Sequence, residues 1–297
     1  MLTAEKLRGI VPAMVTPFTP HDEVDVEGLK KLTNHLIECG VHGIMTTGGN
    51  GEFPHLLPDE RRKVLEVVVD ETNGRVPVIA CTTACSTRET ILYTKHAKDT
   101  GADAAIVVQP YYYKLPDAQI FEYYQRIAEE TDLPLVVYNN PGYTGNAIPP
   151  NLMVRILSLN GVIGLKQSEY DLSQTLEIIR QAGDKVSIMT GIDSQVFPIL
   201  CIGGRGVFST AACVVARQMV ELYKAFERGD VKGALKLHMK LQILNRFFEY
   251  DPGYVAPCKE ALTMLGLPAG HVRPPLPRLT EQERVQLKEA LVELKLL

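Results

Sequence analysis

A lysine and a tyrosine end two consecutive apolar runs of this sequence, and together they suit amine chemistry. Residues 162–165 are apolar or glycine and predict a short buried strand, which Lys166 closes before a polar turn. The preceding apolar run, residues 133–137, ends in Tyr138. A lysine at the carboxyl end of a buried strand can project into a cleft, where burial lowers its pKa and frees the amine as a nucleophile. The pair suits Schiff-base formation with a keto acid; the alternative is a lysine that only extends its ammonium to solvent.

The overall composition is that of an ordinary globular protein. Its 297 residues, 45% hydrophobic and 22% charged, suffice for one large α/β domain or two modest ones. A net charge of -4, with no lysine- or arginine-rich run, argues against a nucleic acid partner. The N-terminus carries no apolar signal region, and no apolar stretch approaches the roughly twenty residues of a membrane span. We therefore expect a cytoplasmic protein without a membrane partner.

The cysteines and histidines do not form a metal-binding pattern. Cys81 and Cys85 are separated by three residues, and no histidine lies close after them. This spacing favours small buried hydrophobic residues over metal ligands. The seven histidines include no H-x-x-x-H pair. We expect neither a metal nor another cofactor, and no disulfides in a reducing compartment.

Eight apolar runs alternate with eight amphipathic segments over residues 1–228. Strict alternation with continuous apolar strands predicts a parallel sheet, and eight such units predict a closed (β/α)8 barrel, the TIM barrel of the α/β class. The predicted strands cover residues 9–15, 43–47, 76–83, 104–108, 133–138, 162–166, 186–190 and 206–209. Barrels of this kind carry their sites at the strand carboxyl ends. Polar and catalytic-type residues collect there, namely Thr16, the glycine loop (residues 48–52), Tyr112, Tyr138, Lys166, Gly191, Asp193 and Ser209.

The chain changes character after Gly229. Three helices are predicted over residues 232–248, 257–265 and 280–294, with no strand between them. No Pro- or Ser-rich linker precedes them, so this region should pack directly on the barrel. We predict a barrel over residues 1–228 that carries the active site, and a three-helix C-terminal appendage over residues 229–297.

With these residues placed, the chain resembles the pyruvate-dependent aldolase superfamily of dihydrodipicolinate synthase and N-acetylneuraminate lyase. The resemblance covers nearly the whole chain. It rests on Val15-Thr16-Pro17-Phe18, the G-x-x-G-E pattern of the glycine loop, Pro110-Tyr111-Tyr112, Tyr138-Asn139, Gly164-Leu165-Lys166, Gly191-x-Asp193, Gly203-Gly204-x-Gly206-Val207, Pro257-x-Lys259 and Val272-Arg273-Pro274-Pro275.

The resemblance implies a reaction that agrees with the chemistry of the residues. Lys166 would attack the ketone of a 2-oxo acid and lose water to form a protonated imine, an electron sink for a carbanion at C3. Tyr138 would serve as the general acid and base. The backbone N–H groups of the loop Gly48-Gly49-Asn50-Gly51 would hold the carboxylate, with Asn50 adding a side-chain donor. The alternative for this loop is an ordinary glycine turn.

The resemblance also assigns residues around this centre. Tyr112 matches a tyrosine that reaches across a dimer interface; the alternative is an interface or core aromatic. Asp193 and Ser209 match positions that contact substrate hydroxyls in the sialate lyase branch, and a capped turn is the alternative for Asp193. The remaining predicted substrate-binding residues are Tyr143, Ser168, Gly191 and Phe208. The family pattern implies a homotetramer made of two tight dimers.

The sequence departs from dihydrodipicolinate synthases at two functional positions. Those enzymes carry two threonines where Gly49 and Asn50 stand, and the first belongs to a proton relay that a glycine cannot serve. They also place an arginine where this chain has Tyr143, which cannot make a bidentate contact with a carboxylate.

Residues 50–54, with Ser168, look more like the 4-hydroxy-2-oxoglutarate and 2-keto-3-deoxy sugar-acid aldolases, although those usually carry serine at position 49. We therefore predict a lyase that cleaves a 4-hydroxy-2-oxo acid to pyruvate and an aldehyde. The alternatives are a dihydrodipicolinate synthase-like condensing enzyme or dehydratase that uses the same imine, and a non-catalytic ligand-binding homologue.

Overall fold

A computed structural model describes residues 2–249 and 253–297 of the chain. Eight short strands form one sheet in the order β1-β8-β7-β6-β5-β4-β3-β2. The strands are β1 (Gly9–Pro12), β2 (Ile44–Thr46), β3 (Val78–Cys81), β4 (Ala104–Val108), β5 (Leu135–Asn139), β6 (Val162–Gln167), β7 (Ser187–Thr190) and β8 (Gly206–Ser209). Ala13, directly after β1, forms a parallel bridge with Met45 of β2, so the first strand of the order also meets the last. The predicted (β/α)8 barrel is confirmed.

Helices separate the strands and follow the last of them. Those between strands are α1 (Val26–Glu38), α2 (Pro58–Thr72), α3 (Thr87–Thr100), α4 (Asp117–Thr131), α5 (Pro141–Thr144), α6 (Pro150–Leu157), α7 (Leu172–Ala182) and α8 (Val196–Cys201). Those after β8 are α9 (Ala216–Glu227), α10 (Val231–Leu241), α11 (Asn245–Phe248), α12 (Val255–Met264) and α13 (Glu281–Glu293). Within the described ranges, no helix is both long and apolar enough to cross a bilayer.

The described chain divides into two compact units, of which the first comprises residues 2–9 and 77–208. It contains β3 to β7, most of β8, and α3 to α8. Neighbouring strands are parallel from β3 to β7, and β4 and β5 are buried along their whole length. Ser86 caps α3, because its hydroxyl accepts the Glu89 N–H at 3.2 Å. The short helix α5 was not predicted; its Pro141 stands at the first position, which a proline tolerates.

The second unit comprises Ile10–Val76 and Ser209–Leu297. It contains most of β1, together with β2, α1, α2 and the helices from α9 onward. Asp25 caps α1 by accepting the Gly28 N–H at 2.9 Å. The first helix predicted after Gly229 is in fact two, because a 3-10 turn at Gln242–Leu244 separates α10 from α11. The described residues after Gly229 therefore form four α-helices where three were predicted, and the boundary at 228/229 stays a prediction.

Candidate active site

Lys166 and Tyr138 lie side by side in the first unit. The register of β5 and β6 pairs Tyr138 with Lys166, and residues paired in this way project from the same face of a sheet. The Lys166 Nζ stands 4.1 Å from the centroid of the Tyr138 ring. Lys166 is 5% exposed and Tyr138 8% exposed. The structure thus brings together a buried amine and a phenol, the two groups that the sequence singled out.

Asn140 orients the Tyr138 side chain. Its Nδ2 donates to the Tyr138 Oη at 2.8 Å, so the phenol oxygen acts as an acceptor and its own proton stays available to another group. A hydroxyl that can receive and release a proton suits general acid–base catalysis. Sequence reasoning missed Asn140, although it follows Tyr138 by two residues and could have been considered for that reason.

A ladder of buried amides joins the ends of three adjacent strands. Gln109 follows β4 and donates to the Asn139 Oδ1 at 3.0 Å, and Asn139 donates to the Gln167 Oε1 at 2.9 Å. Gln109 also donates to the carbonyl of Asn146 at 2.5 Å. Because side chains alternate along a strand, Asn139 and Gln167 project away from the face that carries Tyr138 and Lys166. A buried hydrogen-bonded network of this kind stiffens the strand ends that position the amine and the phenol.

Ser168, Gly191 and Phe208 also lie beside Lys166. A Cβ built on Gly191 would stand 2.6 Å from the Lys166 Cε and would overlap the Ser168 Oγ. Gly191 does not adopt a left-handed φ, so glycine is required here because a side chain would clash, and not because of the backbone conformation. The Phe208 ring centroid is 5.9 Å from the Lys166 Nζ. These three predicted residues therefore shape the surroundings of the amine.

The predicted hydroxyl-binding residues are buried at turns. Asp193 is 6% exposed and begins a 3-10 turn, Asp193–Gln195, in the first unit. Ser209, in the second unit, accepts the Ala212 N–H at 2.7 Å and so caps the turn that follows β8. Contact of either residue with a substrate hydroxyl stays a prediction.

Tyr112 and Tyr143 project from the surface of the first unit. Tyr112 is 85% exposed, with a left-handed φ of 80°, and Tyr143 is 68% exposed within α5. Asn146 holds the loop around Tyr112 by donating to the carbonyls of Pro110 and Tyr113, both at 2.8 Å. A large exposed aromatic on an anchored loop fits a contact with another molecule, and the interface role of Tyr112 stays a prediction.

The glycine loop belongs to the second unit and begins directly after Thr47. Thr47 and Glu52 have left-handed φ values of 52° and 58° and bound the tight turn. Within the described residues, none of the backbone N–H groups of residues 48–51 donates a hydrogen bond. Consecutive free N–H groups in such a turn form a concave anion-binding nest. The loop is therefore suited to hold a carboxylate.

The Asn50 side chain is engaged within the protein. Its Nδ2 donates to the carbonyl of Ala13 at 2.7 Å and stands 3.6 Å from the sulfurs of Cys213 and Cys258. Its Oδ1 is buried without a hydrogen-bond partner in the described chain. The amide that we expected to serve as a donor to the substrate thus already bonds to the backbone after β1, and its contact with a substrate stays a prediction.

A buried ion pair stands directly behind the glycine loop. Glu52 and Lys259 are each 1% exposed, and the Lys259 Nζ lies 2.5 Å from the Glu52 Oε1. The backbone N–H of Arg273 donates to the Glu52 Oε2 at 2.9 Å. The centroid of the Phe18 ring lies 4.1 Å from the Lys259 Nζ and 4.2 Å from the Arg273 Cζ. Burial lowers the Lys259 pKa from its usual 10.5 to about 8. The sequence showed Lys259 and Arg273 only as matches to a family pattern, without their partners.

The fold and the buried amine define a class of protein: a (β/α)8 barrel enzyme with a lysine and a tyrosine at adjacent strand ends. The chain belongs to the dihydrodipicolinate synthetase family, whose model matches residues 6–294. It is accordingly a lyase that uses pyruvate through a lysine Schiff base.

Three relatives illustrate the similarity. The 4-hydroxy-tetrahydrodipicolinate synthase of Methanopyrus kandleri is 38% identical over 296 residues, which are 98% of each chain. The dihydrodipicolinate synthase of Thermotoga maritima is 34% identical with a TM-score of 0.93, over 98% of this chain and 99% of that one. YagE, a prophage protein of this family from E. coli K12 whose structure was solved in complex with pyruvate, is 33% identical with a TM-score of 0.94, over 98% and 99%.

These comparisons confirm the predicted superfamily but not the predicted branch. Sequence motifs had favoured the sugar-acid aldolases, whereas the relatives with a named activity are synthases. The comparisons therefore support the condensing alternative better than the cleavage that the motifs suggested.

Proposed function

We propose that this enzyme condenses pyruvate with an aldehyde, using Lys166 as the Schiff-base lysine and Tyr138 as the general acid and base. The observation that carries the proposal is the buried Lys166 Nζ, which lies 4.1 Å from the centroid of the Tyr138 ring, while Asn140 orients the Tyr138 hydroxyl. A site that only bound a ligand would not require a nucleophilic amine beside an acid–base group.

The proposed reaction proceeds through covalent steps that balance. The neutral Lys166 amine attacks C2 of pyruvate to give a carbinolamine, and Tyr138 supplies the proton with which the hydroxyl leaves as water. Loss of a proton from C3 converts the iminium to an enamine, which attacks the aldehyde carbon to form the new C–C bond. The aldehyde oxygen takes up a proton, and hydrolysis of the imine releases the product and the free lysine.

The carboxylate of pyruvate is proposed to bind the glycine loop. The family resemblance assigns this role to residues 48–51, and their four N–H groups, free within the described chain, support the assignment. Hydrogen bonds from neutral donors to a charged carboxylate are the stronger kind.

A second candidate is cleavage of a 4-hydroxy-2-oxo acid by the same steps in reverse. Gly49 and Tyr143 favour cleavage. Gly49 lacks the relay hydroxyl, and Tyr143 lacks the carboxylate-binding guanidinium, that the resemblance assigns to dihydrodipicolinate synthases. In that case the site would not need a group that binds a second carboxylate on the aldehyde.

We further propose a cytoplasmic homotetramer built from two tight dimers. Tyr112 and Tyr113 are 85% and 72% exposed and in edge-on contact at 5.0 Å, which leaves an aromatic patch available for a second copy. Sedimentation velocity tests the assembly: the proposal expects a single tetrameric species that Tyr112→Ala weakens, whereas a fully active monomer contradicts it.

Trapping tests the proposed function first. Incubation with pyruvate and borohydride should add one reduced pyruvate at Lys166, located by peptide mass spectrometry, and Lys166→Met should abolish the adduct. Modification at Lys114 or Lys259 instead, or no adduct at all, refutes the mechanism.

Kinetics on one preparation then separates the two candidates. Condensation of pyruvate with a panel of aldehydes that includes aspartate semialdehyde is compared with cleavage of 4-hydroxy-2-oxo acids. The proposal expects kcat/KM for condensation to exceed that for any cleavage substrate. A cleavage substrate that is about a thousandfold better, a difference of about 4 kcal/mol in transition-state stabilisation, selects the second candidate.

A further inference from the structure

The side-chain space of Gly49 is occupied by the hydroxyl of Tyr254. A Cβ built on Gly49 would overlap the Tyr254 Oη and lie 3.6 Å from the Tyr254 Cζ, and apart from Gly49 and its two chain neighbours no other heavy atom of the described chain stands within 4 Å of it. Gly49 does not adopt a left-handed φ, so its backbone would accept a side chain. The glycine at this position is therefore explained by the tyrosine hydroxyl, which packs directly against the loop.

Helix α12 holds that hydroxyl in place. Tyr254 precedes the first residue of α12, and the next turn of the helix carries Cys258, whose sulfur lies 3.6 Å from the Asn50 Nδ2. The adjacent Lys259 forms the buried ion pair with Glu52. The start of α12 thus contacts the glycine loop at positions 49, 50 and 52, all within the second unit.

The hydroxyl therefore stands beside backbone groups that can bind an anion. The N–H groups of residues 48–51 donate to no group of the described chain, and a phenol can add one further donor. The Tyr254 hydroxyl thus occupies the place that a serine or threonine side chain at position 49 would take, but it comes from another segment of the chain.

We propose that Tyr254 is a further substrate-binding residue, whose hydroxyl donates to the carboxylate of the oxo acid together with the N–H groups of the glycine loop. The inference rests on the proposed function, because it takes the carboxylate to bind this loop. It makes Gly49 and Tyr254 a coupled pair: only one of the two positions can deliver a hydroxyl to this place.

The test is a set of substitutions at the two positions. Tyr254→Phe should raise KM for pyruvate by about tenfold to a hundredfold, the range for a hydrogen bond to a charged group, with a smaller change in kcat. Gly49→Ser alone should also raise KM, because its side chain displaces the Tyr254 hydroxyl. Gly49→Ser combined with Tyr254→Phe should recover most of the loss, since the serine then supplies the hydroxyl into vacated space.

Tyr223→Phe is the matched control. It removes a tyrosine hydroxyl that bonds to Glu227 within α9, and it should leave KM for pyruvate unchanged. Circular dichroism of every variant checks the fold. If Tyr254→Phe does not fold, Gly49→Ala provides the same test, because its methyl group also displaces the hydroxyl.

The outcomes separate this inference from the proposed function. If wild-type protein forms the borohydride adduct but Tyr254→Phe keeps its KM for pyruvate, the inference is overturned and the Schiff base stands. Equal KM values for the double variant and Tyr254→Phe also overturn it, since a purely structural tyrosine would give that result. If the wild type forms no adduct, the proposed function itself fails.

Discussion

We expect the free energy of unfolding to depend strongly on the charge of Lys259, because Lys259 forms a buried ion pair with Glu52. Both residues are 1% exposed, so Lys259→Met would keep most of the side-chain volume but leave the Glu52 carboxylate buried without its cation. Breaking a buried pair in this way typically costs about 3–5 kcal/mol. Adding Glu52→Gln to Lys259→Met should recover part of the loss, because no uncompensated charge remains.

Lys98→Met is the control for this substitution. It removes an ion pair of similar length, 2.8 Å to Asp132, but there the two side chains are 39% and 86% exposed. Solvent-exposed pairs contribute about 0–1 kcal/mol, so this variant should unfold almost as the wild type does.

The same pair predicts how stability depends on pH. Burial lowers the pKa of Lys259 from 10.5 to about 8, so between these values the unfolded state binds more protons than the folded state. The free energy of unfolding of the wild type should therefore rise with pH across this window, relative to Lys259→Met. The neutral Lys259 amine still donates a hydrogen bond to the Glu52 carboxylate, which methionine cannot do, so deprotonation of Lys259 does not carry the cost of the Lys259→Met substitution.

Urea unfolding between pH 7 and pH 10.5 measures both effects. Far-UV circular dichroism or tyrosine fluorescence is the signal, since the chain has 12 tyrosines and no tryptophan. Protein concentration is held constant, because assembly shifts apparent stability. The reasoning is refuted if Lys259→Met lowers the free energy of unfolding no more than Lys98→Met does. It is also refuted if the difference in free energy of unfolding between the wild type and Lys259→Met becomes smaller as pH rises from 8.

Two further predictions concern the surroundings of the amine. Gly191→Ala places a methyl group 2.6 Å from the Lys166 Cε and should lower kcat by about a hundredfold with the fold intact. The control is Gly142→Ala, whose methyl group meets only the Asn140 Oδ1 at 3.9 Å and should leave kcat nearly unchanged. Similar kcat values for the two variants would contradict this prediction. Asn140→Ala removes the hydrogen bond of 2.8 Å to the Tyr138 Oη and should lower kcat by roughly tenfold, while the borohydride adduct still forms. An unchanged kcat would show that other contacts orient Tyr138.

Local patterns in the sequence determined the barrel and its central pair of residues. Apolar runs separated by amphipathic segments specify strands and helices without knowledge of distant contacts, and Ser86 and Asp25 cap helices through neighbours within three residues. Lys166 and Tyr138 could be placed together because each ends an apolar run and parallel strands end at the same edge. Both inferences need only the order of residues along the chain.

Tertiary structure alone decided the contacts between distant segments. The amide ladder from Gln109 through Asn139 to Gln167 depends on the register of three strands, which no local pattern specifies. The sequence shows Gly49 only as a missing hydroxyl, whereas the fold brings Tyr254 into the space where a side chain would stand. Such contacts join residues far apart in the chain, so their partners are set by how helices and strands pack and not by the residues that flank them.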